Sequence, residues 1–319
     1  MSFTKNDLEN ILEKVNSAGE DPQIFFILRN RKNHRLNYEV KRSRATKEVL
    51  QSFKEVLIKK LTFFCKQQDL NITDYDPNFL PDRTSIEILQ NDKIPEYNQL
   101  IDLMSSPENL DYFDKIDSGF IKSIWAYSIG IPIGNQSIYY FRKYSQGKVI
   151  KKGGSLNLFY SSGLLSKIDD DVLYFDDNID SVSINSYMII IQKTLFEQIF
   201  SFTEKYESLA ETFLNYLKES NLLSDFDKVA DICKSDPQKI KKLASILLQD
   251  IDVLKIDYNK IKKVALRWNV ELKFDDSSKK IIVEQSNVWN FLKLLGDDFL
   301  GSPLTQLKYE VQSKKRRSS

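Results

Sequence analysis

The sequence predicts an α+β fold: an N-terminal and central strand-rich mixed sheet with flanking helices, followed by a mainly helical C-terminal region that contains a β-hairpin. Three observations carry this. Between residues 23 and 192, short runs rich in Val, Ile, Tyr and Phe recur, divided by Gly, Ser, Asn and Asp clusters. Two stretches near the start, 5–16 and 46–67, instead repeat their apolar residues at helical spacing. After residue 195 the helical spacing takes over almost entirely. The shift divides the 319 residues into a strand-rich domain, 1–195, and a mainly helical one, 196–319.

In order, Thr4 is a suitable N-cap for a helix over 5–16, where Leu8, Ile11, Leu12 and Val15 share one face and Gly19 ends the run. QIFFILR (23–29) and RLNYEVK (35–41) read as two strands joined by a polar turn. Val49, Leu50, Phe53, Val56, Leu57, Leu61 and Phe64 form the apolar stripe of a helix from about 46 to 67. A proline-marked connection, a strand at 84–89 and a helix from Pro95 to Met104 follow, with Pro95 suited to a helix start. Strands are expected at 121–131, 136–144, 155–160, 172–176, 179–184 and 187–192. One long helix is expected from Phe196 to Glu219, and shorter ones at Phe226–Cys233, Pro237–Leu248 and Asn259–Trp268. A hairpin over 271–284, turning at two serines, and a helix over 287–295 complete the series.

Composition excludes several chemistries. The single histidine, His34, lies among charges in a turn, and the two cysteines, Cys65 and Cys233, sit in helical, half-apolar contexts. Zinc sites of several His and Cys are therefore not available, and free buried thiols are expected. No Walker A loop and no G-x-G-x-x-G occurs. No apolar run approaches the ~18–20 residues that span a bilayer, and the start of the chain is polar, so a cytoplasmic chain is expected. No cofactor or metal is expected. Asp169-Asp170-Asp171, Asp176, Asp177 and Asp180 offer oxygen ligands, but without the spacing of an EF-hand they read better as turn and strand-end residues.

Charge is balanced overall, at +1, and segregated locally. Residues 29–66 hold twelve basic and three acidic residues, whereas 67–120 hold three basic and twelve acidic. Such blocks repel themselves unless they face each other or meet a polyanion. The stretch QSIYYFRKYSQGKVIKKGG (136–154) has five cations, no acid, and interleaved aromatics. Fixed positive charge beside flat apolar faces suits a nucleic-acid backbone, although lysines also guard exposed sheet edges. The candidate DNA-binding residues are Arg142, Lys143, Lys148, Lys151 and Lys152, then Arg29, Arg31, Lys32, Arg42 and Arg44, and the run Lys314, Lys315, Arg316 and Arg317. A metal-dependent nuclease remains the alternative: Asp21, with Glu39 and Lys41 on one strand face, has the residue types of a restriction-type core.

Three blocks, IYYFRKYSQGKVIKKGG, VLYFDDNIDSVSINSYMIIIQKTLFEQIFSF and VWNFLKLLGDDFLGSPLTQLKYEVQSKKR, resemble the KwaB family of the bacterial Kiwa anti-phage system, in order and spacing, from about Leu110 to Arg316. The resemblance implies a non-catalytic effector that binds invading double-stranded DNA without sequence preference and blocks its replication or expression. It also implies a KwaA-type membrane protein as partner, recruitment through it to the inner face of the cell membrane, and a homodimer or higher homo-oligomer. It carries over no contact residues, so the candidates above rest on charge alone.

Overall fold

A computed structural model describes residues 3–32, 35–78, 84–113, 120, 123–134, 136–145, 149–150, 158–161, 164–167, 172–248, 257–302 and 304–311. At 30–32, 35–36 and the strands between 149 and 172, the description is of backbone only. The chain forms two compact units, Met1–Asp74 with Pro81–Ser201, and Tyr75–Leu80 with Phe202–Ser319.

The first unit runs α1 (Lys5–Ser17), β1 (Gln23–Lys32), β2 (Arg35–Ser43), α2 (Lys47–Lys66), β3 (Asn71–Asp74), β4 (Ser85–Gln90), α3 (Tyr97–Ser105), β5 (Ile124–Ile133) and β6 (Gln136–Lys143). Next come β7 (Val149–Ile150), β8 (Leu158–Ser161), β9 (Leu164–Lys167), β10 (Val172–Leu173), β11 (Ser181–Ile184), β12 (Tyr187–Ile190) and α4 (Lys193–Ile199). Eight strands make one sheet in the order β2-β1-β5-β6-β11-β12-β4-β3. It is antiparallel except where β3 runs parallel to β4, which makes it the mixed sheet the sequence predicts.

Helix α1 starts with a reciprocal cap. The Thr4 hydroxyl accepts from Asp7 N–H, and the Asp7 carboxylate accepts from Thr4 N–H at 2.7 Å. Leu8, Ile11 and Val15 of α1 and Phe53, Leu57, Leu61 and Phe64 of α2 join Ile24, Phe26, Tyr127, Ile129 and Tyr140 in one core. Strand alternation turns Phe25, Tyr139 and Phe141 to the other face. There the Tyr139 hydroxyl reaches Met104 O at the end of α3, and Phe141 meets Phe200 just after α4 edge-on, with ring centroids 5.2 Å apart. Gly130 has a packing reason: a Cβ there would lie 2.9 Å from the Tyr139 ring and 3.1 Å from Phe25.

Two helix expectations need correcting. The helix expected over Phe196–Glu219 is two helices, because Ser201 adopts a left-handed conformation (φ 56°) that no helix continues through. The Tyr38 hydroxyl donates to Ile199 O at 2.7 Å and lies 3.1 Å from the Ser201 hydroxyl, which holds the break in place. Pro95 stands outside α3, since Glu96 is itself left-handed and the helix begins at Tyr97. Strand β3 was not foreseen; only two of its four residues are apolar or β-branched.

The second unit contains α5 (Phe202–Glu219), α6 (Phe226–Lys234), α7 (Pro237–Leu248), α8 (Tyr258–Trp268), β13 (Lys273–Asp275), β14 (Lys280–Ile282), α9 (Val288–Leu295), β15 (Phe299–Gly301) and β16 (Lys308–Glu310). Phe213, Leu217, Val229, Cys233, Leu243, Ile281 and Phe291 fill its core. Both cysteines are free, and burial pushes the Cys233 thiol up to about 11. The expected hairpin is β13–β14, turned by Asp275, whose carboxylate accepts from the hydroxyls of Ser277 and Ser278. A second hairpin, β15–β16, has no counterpart in the sequence reading.

Tyr38→Phe removes the bonds that hold the chain at Ile199–Ser201. Urea unfolding followed by circular dichroism is expected to show a loss of about 1–2 kcal/mol, and an unchanged midpoint would show that the break holds itself.

Candidate functional site

In β6 the adjacent cations Arg142 and Lys143 point to opposite faces of the sheet, because successive strand residues alternate. Arg142 meets carboxylates. Its Nε and one terminal nitrogen donate to the two Asp176 oxygens at 3.0 and 2.7 Å, and the other terminal nitrogen donates to Asp180. The Arg142 side chain is 12 % exposed and that of Asp180 0 %. Asp180 ties more than this pair. Its second carboxylate oxygen accepts from Lys143 N–H at 2.6 Å, its own N–H donates to Phe141 O, and its carbonyl accepts from Ile191 and Gln192. Burial opposes the Arg142 charge, but the two carboxylates outweigh it and hold the guanidinium pKa above its ordinary value. Burial likewise raises the Asp180 carboxyl, against the Lys143 N–H and the Arg142 charge. The phosphate contact expected of Arg142 does not fit this geometry, since its donors already face two carboxylates.

Lys143 takes the other course. Its ammonium donates to Trp125 O at 2.8 Å and Tyr144 O at 3.3 Å, and lies 3.6 Å from the centre of the Trp125 ring. The Arg29 guanidinium lies 4.4 Å from the same ring. A bulge brings this about. Ile27 pairs with Ala126 but Leu28 pairs with Ile124, so Trp125 is an extra residue in β5 and its side chain is re-aimed. Both cations gain from the ring's negative face, yet they also repel each other. Burial and the Arg29 charge lower the Lys143 pKa to about 8, with Asp180 partly opposing. Trp125 Nε1–H is buried and finds no acceptor among the described residues.

A second cluster involves β2. Arg42 lies 4.8 Å and Arg44 4.4 Å from the centre of the Tyr112 ring, and Arg42 donates to Pro107 O at 2.8 Å. This is one place where the basic and acidic blocks of the sequence meet, and the acceptor is a carbonyl. In register, Arg29 stands opposite Tyr38 and Arg42 opposite Phe25, four residues or ~13 Å along the strand. Arg29 and Lys143 are thus brought together, and Arg42 and Arg44 form a separate pair. Arg31 and Lys32 lie in β1, their side chains outside the description; Lys148, Lys151, Lys152, Lys314, Lys315, Arg316 and Arg317 lie outside the described residues. The aromatic platforms Trp125 and Tyr112 and the Asp176–Asp180 acceptors were missed as partners. The bulge that exposes Trp125 to the cations leaves no mark in sequence periodicity.

The nuclease set does not assemble. Glu39 and Lys41 share a strand face as alternation predicts, and they pair with each other at 3.4 Å. Glu39, however, stands opposite Leu28, while Asp21 precedes Gln23 at the start of β1. That is ~17 Å of strand, whereas ligands of one divalent ion place oxygens about 2–2.5 Å from it. No group of three or more His, Cys, Asp or Glu able to hold a metal occurs among the described residues.

A family model described as Kiwa protein KwaB-like matches residues 121–305. The chain belongs to the KwaB family. Membership ties it to Kiwa anti-phage defence and agrees with the three sequence blocks. A KwaB-family relative, the Kiwa protein KwaB of Escherichia coli O55:H7 (strain RM12579 / EPEC), is 24 % identical over 292 residues, 87 % of this chain and 90 % of that protein. No solved structure matches. The KwaB-family match contains Trp125, Arg142, Lys143, Asp176 and Asp180 but begins after Arg29, Arg42 and Arg44.

Removing one partner of a buried ion pair strands the other. Asp180→Ala is therefore expected to destabilise the protein by about 3–5 kcal/mol, read as a lower urea midpoint. A loss under ~1 kcal/mol would mean that Asp176 alone satisfies Arg142.

Proposed function

We propose that this KwaB-family chain binds double-stranded DNA through phosphate contacts, without sequence preference, and blocks the replication or expression of phage DNA. The observation that carries the reading is the convergence of Arg29 and Lys143 on Trp125. Two cations drawn to one indole raise each other's energy, and an anion relieves that. Two of the three Lys143 N–H groups have carbonyl acceptors, which leaves the third for a phosphate oxygen. Arg42 and Arg44 supply a second cationic point, and phosphates spaced every ~1.7 Å of duplex axis supply charge at both. Contacts of this kind set affinity and register but read no bases. The proposed role needs no chemistry on the DNA. No membrane-spanning helix occurs among the described residues; in this proposal a KwaA-type membrane protein brings the chain to the inner face of the membrane, and self-association doubles the cationic surface.

The test is DNA retention measured by fluorescence anisotropy with a random-sequence duplex. Arg29→Gln with Lys143→Gln, whose amides can still donate to the neighbouring carbonyls, is expected to weaken binding at least tenfold and to reduce the salt slope by about two, with the fold retained on circular dichroism. Unchanged affinity would remove this end of the sheet from the interface.

The lowered Lys143 pKa gives a second expectation. A lysine depressed in the folded state is stabilising when neutral above pH 10.5, and that gain is lost as pH falls through about 8. Bound phosphate favours the charged form, so DNA affinity should fall up to about tenfold between pH 7 and 9 at constant salt. Lys143→Arg, charged throughout this range, should flatten the profile. An equally steep profile in that variant would assign the pH dependence elsewhere.

A further inference from the structure

A lysine ammonium has no lone pair, so most lysines are weak nucleophiles near neutral pH. Burial, or a second cation close by, favours the neutral amine and makes it reactive. Lys143 meets both conditions. Its side chain is half-buried, and both its ammonium and the Arg29 guanidinium lie against the Trp125 ring. Burial and the Arg29 charge bring its pKa down to about 8, with Asp180 pulling the other way. At pH 7.5 roughly a quarter of such a lysine is neutral, against about one part in a thousand for an ordinary one.

The hydrogen bonds orient the nitrogen. Trp125 O accepts from it at 2.8 Å and Tyr144 O at 3.3 Å. A neutral amine keeps two N–H bonds, and these two carbonyls accept both. The lone pair then takes the third position, for which no hydrogen-bond acceptor occurs among the described residues. The negative face of the indole, 3.6 Å from the nitrogen to the ring centre, turns that lone pair away from the ring. The stem is fixed as well, since Lys143 N–H donates to Asp180 at 2.6 Å. An oriented amine beside a fixed guanidinium suits a reagent that is electrophilic at carbon and anionic at its leaving group.

We propose that Lys143 is an acylation site that reacts unaided with acyl phosphates, the Arg29 guanidinium drawing the phosphate end of the reagent to the amine. The lone pair attacks the acyl carbon and forms the new C–N bond. The bond from that carbon to the phosphate oxygen breaks, and phosphate leaves with the electron pair. The nitrogen gives up one proton, which the departing phosphate carries away as hydrogen phosphate. The amide that results is neutral and keeps one N–H for Trp125 O. A thioester has no phosphate on its reacting carbon for Arg29 to hold. Acylation removes the charge and its attraction to the indole, and so regulates the proposed DNA contact. That consequence rests on the DNA reading; the reaction does not.

The full chain is treated with acetyl phosphate at about pH 8, and acetylation at each lysine is followed by peptide mass spectrometry. Lys143 is expected to react at least about tenfold faster than the exposed Lys14 and Lys59. Its rate should rise through about pH 8 and level off above it. Arg29→Gln should slow Lys143 at least about fivefold and leave Lys14 and Lys59 as they were. Acetylation of Lys143 no faster than at those two lysines would overturn the proposal, as would a wild-type rate in Arg29→Gln. Selective acetylation that leaves duplex affinity unchanged would uphold the modification site and remove Lys143 from the DNA contact.

Discussion

The buried contact of Arg142 with Asp176 and Asp180 is the constraint on which the first unit depends. Asp180 bonds side chain and backbone of β6 and closes the end of β12 through its carbonyl. A desolvated carboxylate of this kind is tolerable only when fully bonded. Its second oxygen fixes the Lys143 amide, and strand alternation then decides where the Lys143 side chain goes. The placement of the Lys143 ammonium against Trp125 follows from a charge pair on the opposite face.

That arrangement divides the basic stretch of the sequence into two roles. Arg142 is structural, neutralised by carboxylates; Lys143 is electrostatically uncomfortable and partly exposed. The discomfort is where the proposed function resides. In the proposed reading, two cations that the fold holds against one indole are preorganised for a phosphate in a way that lysines on a mobile surface are not. Such a site discriminates charge and geometry rather than sequence, which matches the expectation for a defence protein that meets foreign DNA of any sequence.

Much of the fold was legible. Helical spacing placed α1, α2 and the helices of the second unit, and alternation located the long strands β1, β2, β5 and β6. Where reading failed, the cause was a local conformation with no compositional mark. A serine in left-handed conformation broke the expected 196–219 helix, and a short, polar β3 joined the sheet through its neighbour. The candidate site was half legible. Charge singled out Arg29, Arg42, Arg44, Arg142 and Lys143, but charge alone could not tell Arg142 from Lys143. That distinction needed Asp180, thirty-eight residues on, and a bulge at Trp125 visible only in the strand register. The Asp21, Glu39 and Lys41 set failed for the same reason, since sequence proximity says nothing about which end of a strand each residue occupies.

The ionisation of Lys143 is the most direct probe of this account, because it reports the Arg29 charge, the Trp125 contact and any bound anion at once. Titrating its Cε resonance by NMR, free and with a short DNA duplex, should give a pKa near 8 for the free protein and a value raised by at least about one unit with DNA bound. A free value near the ordinary 10.5, or one that DNA leaves unmoved, would contradict the account.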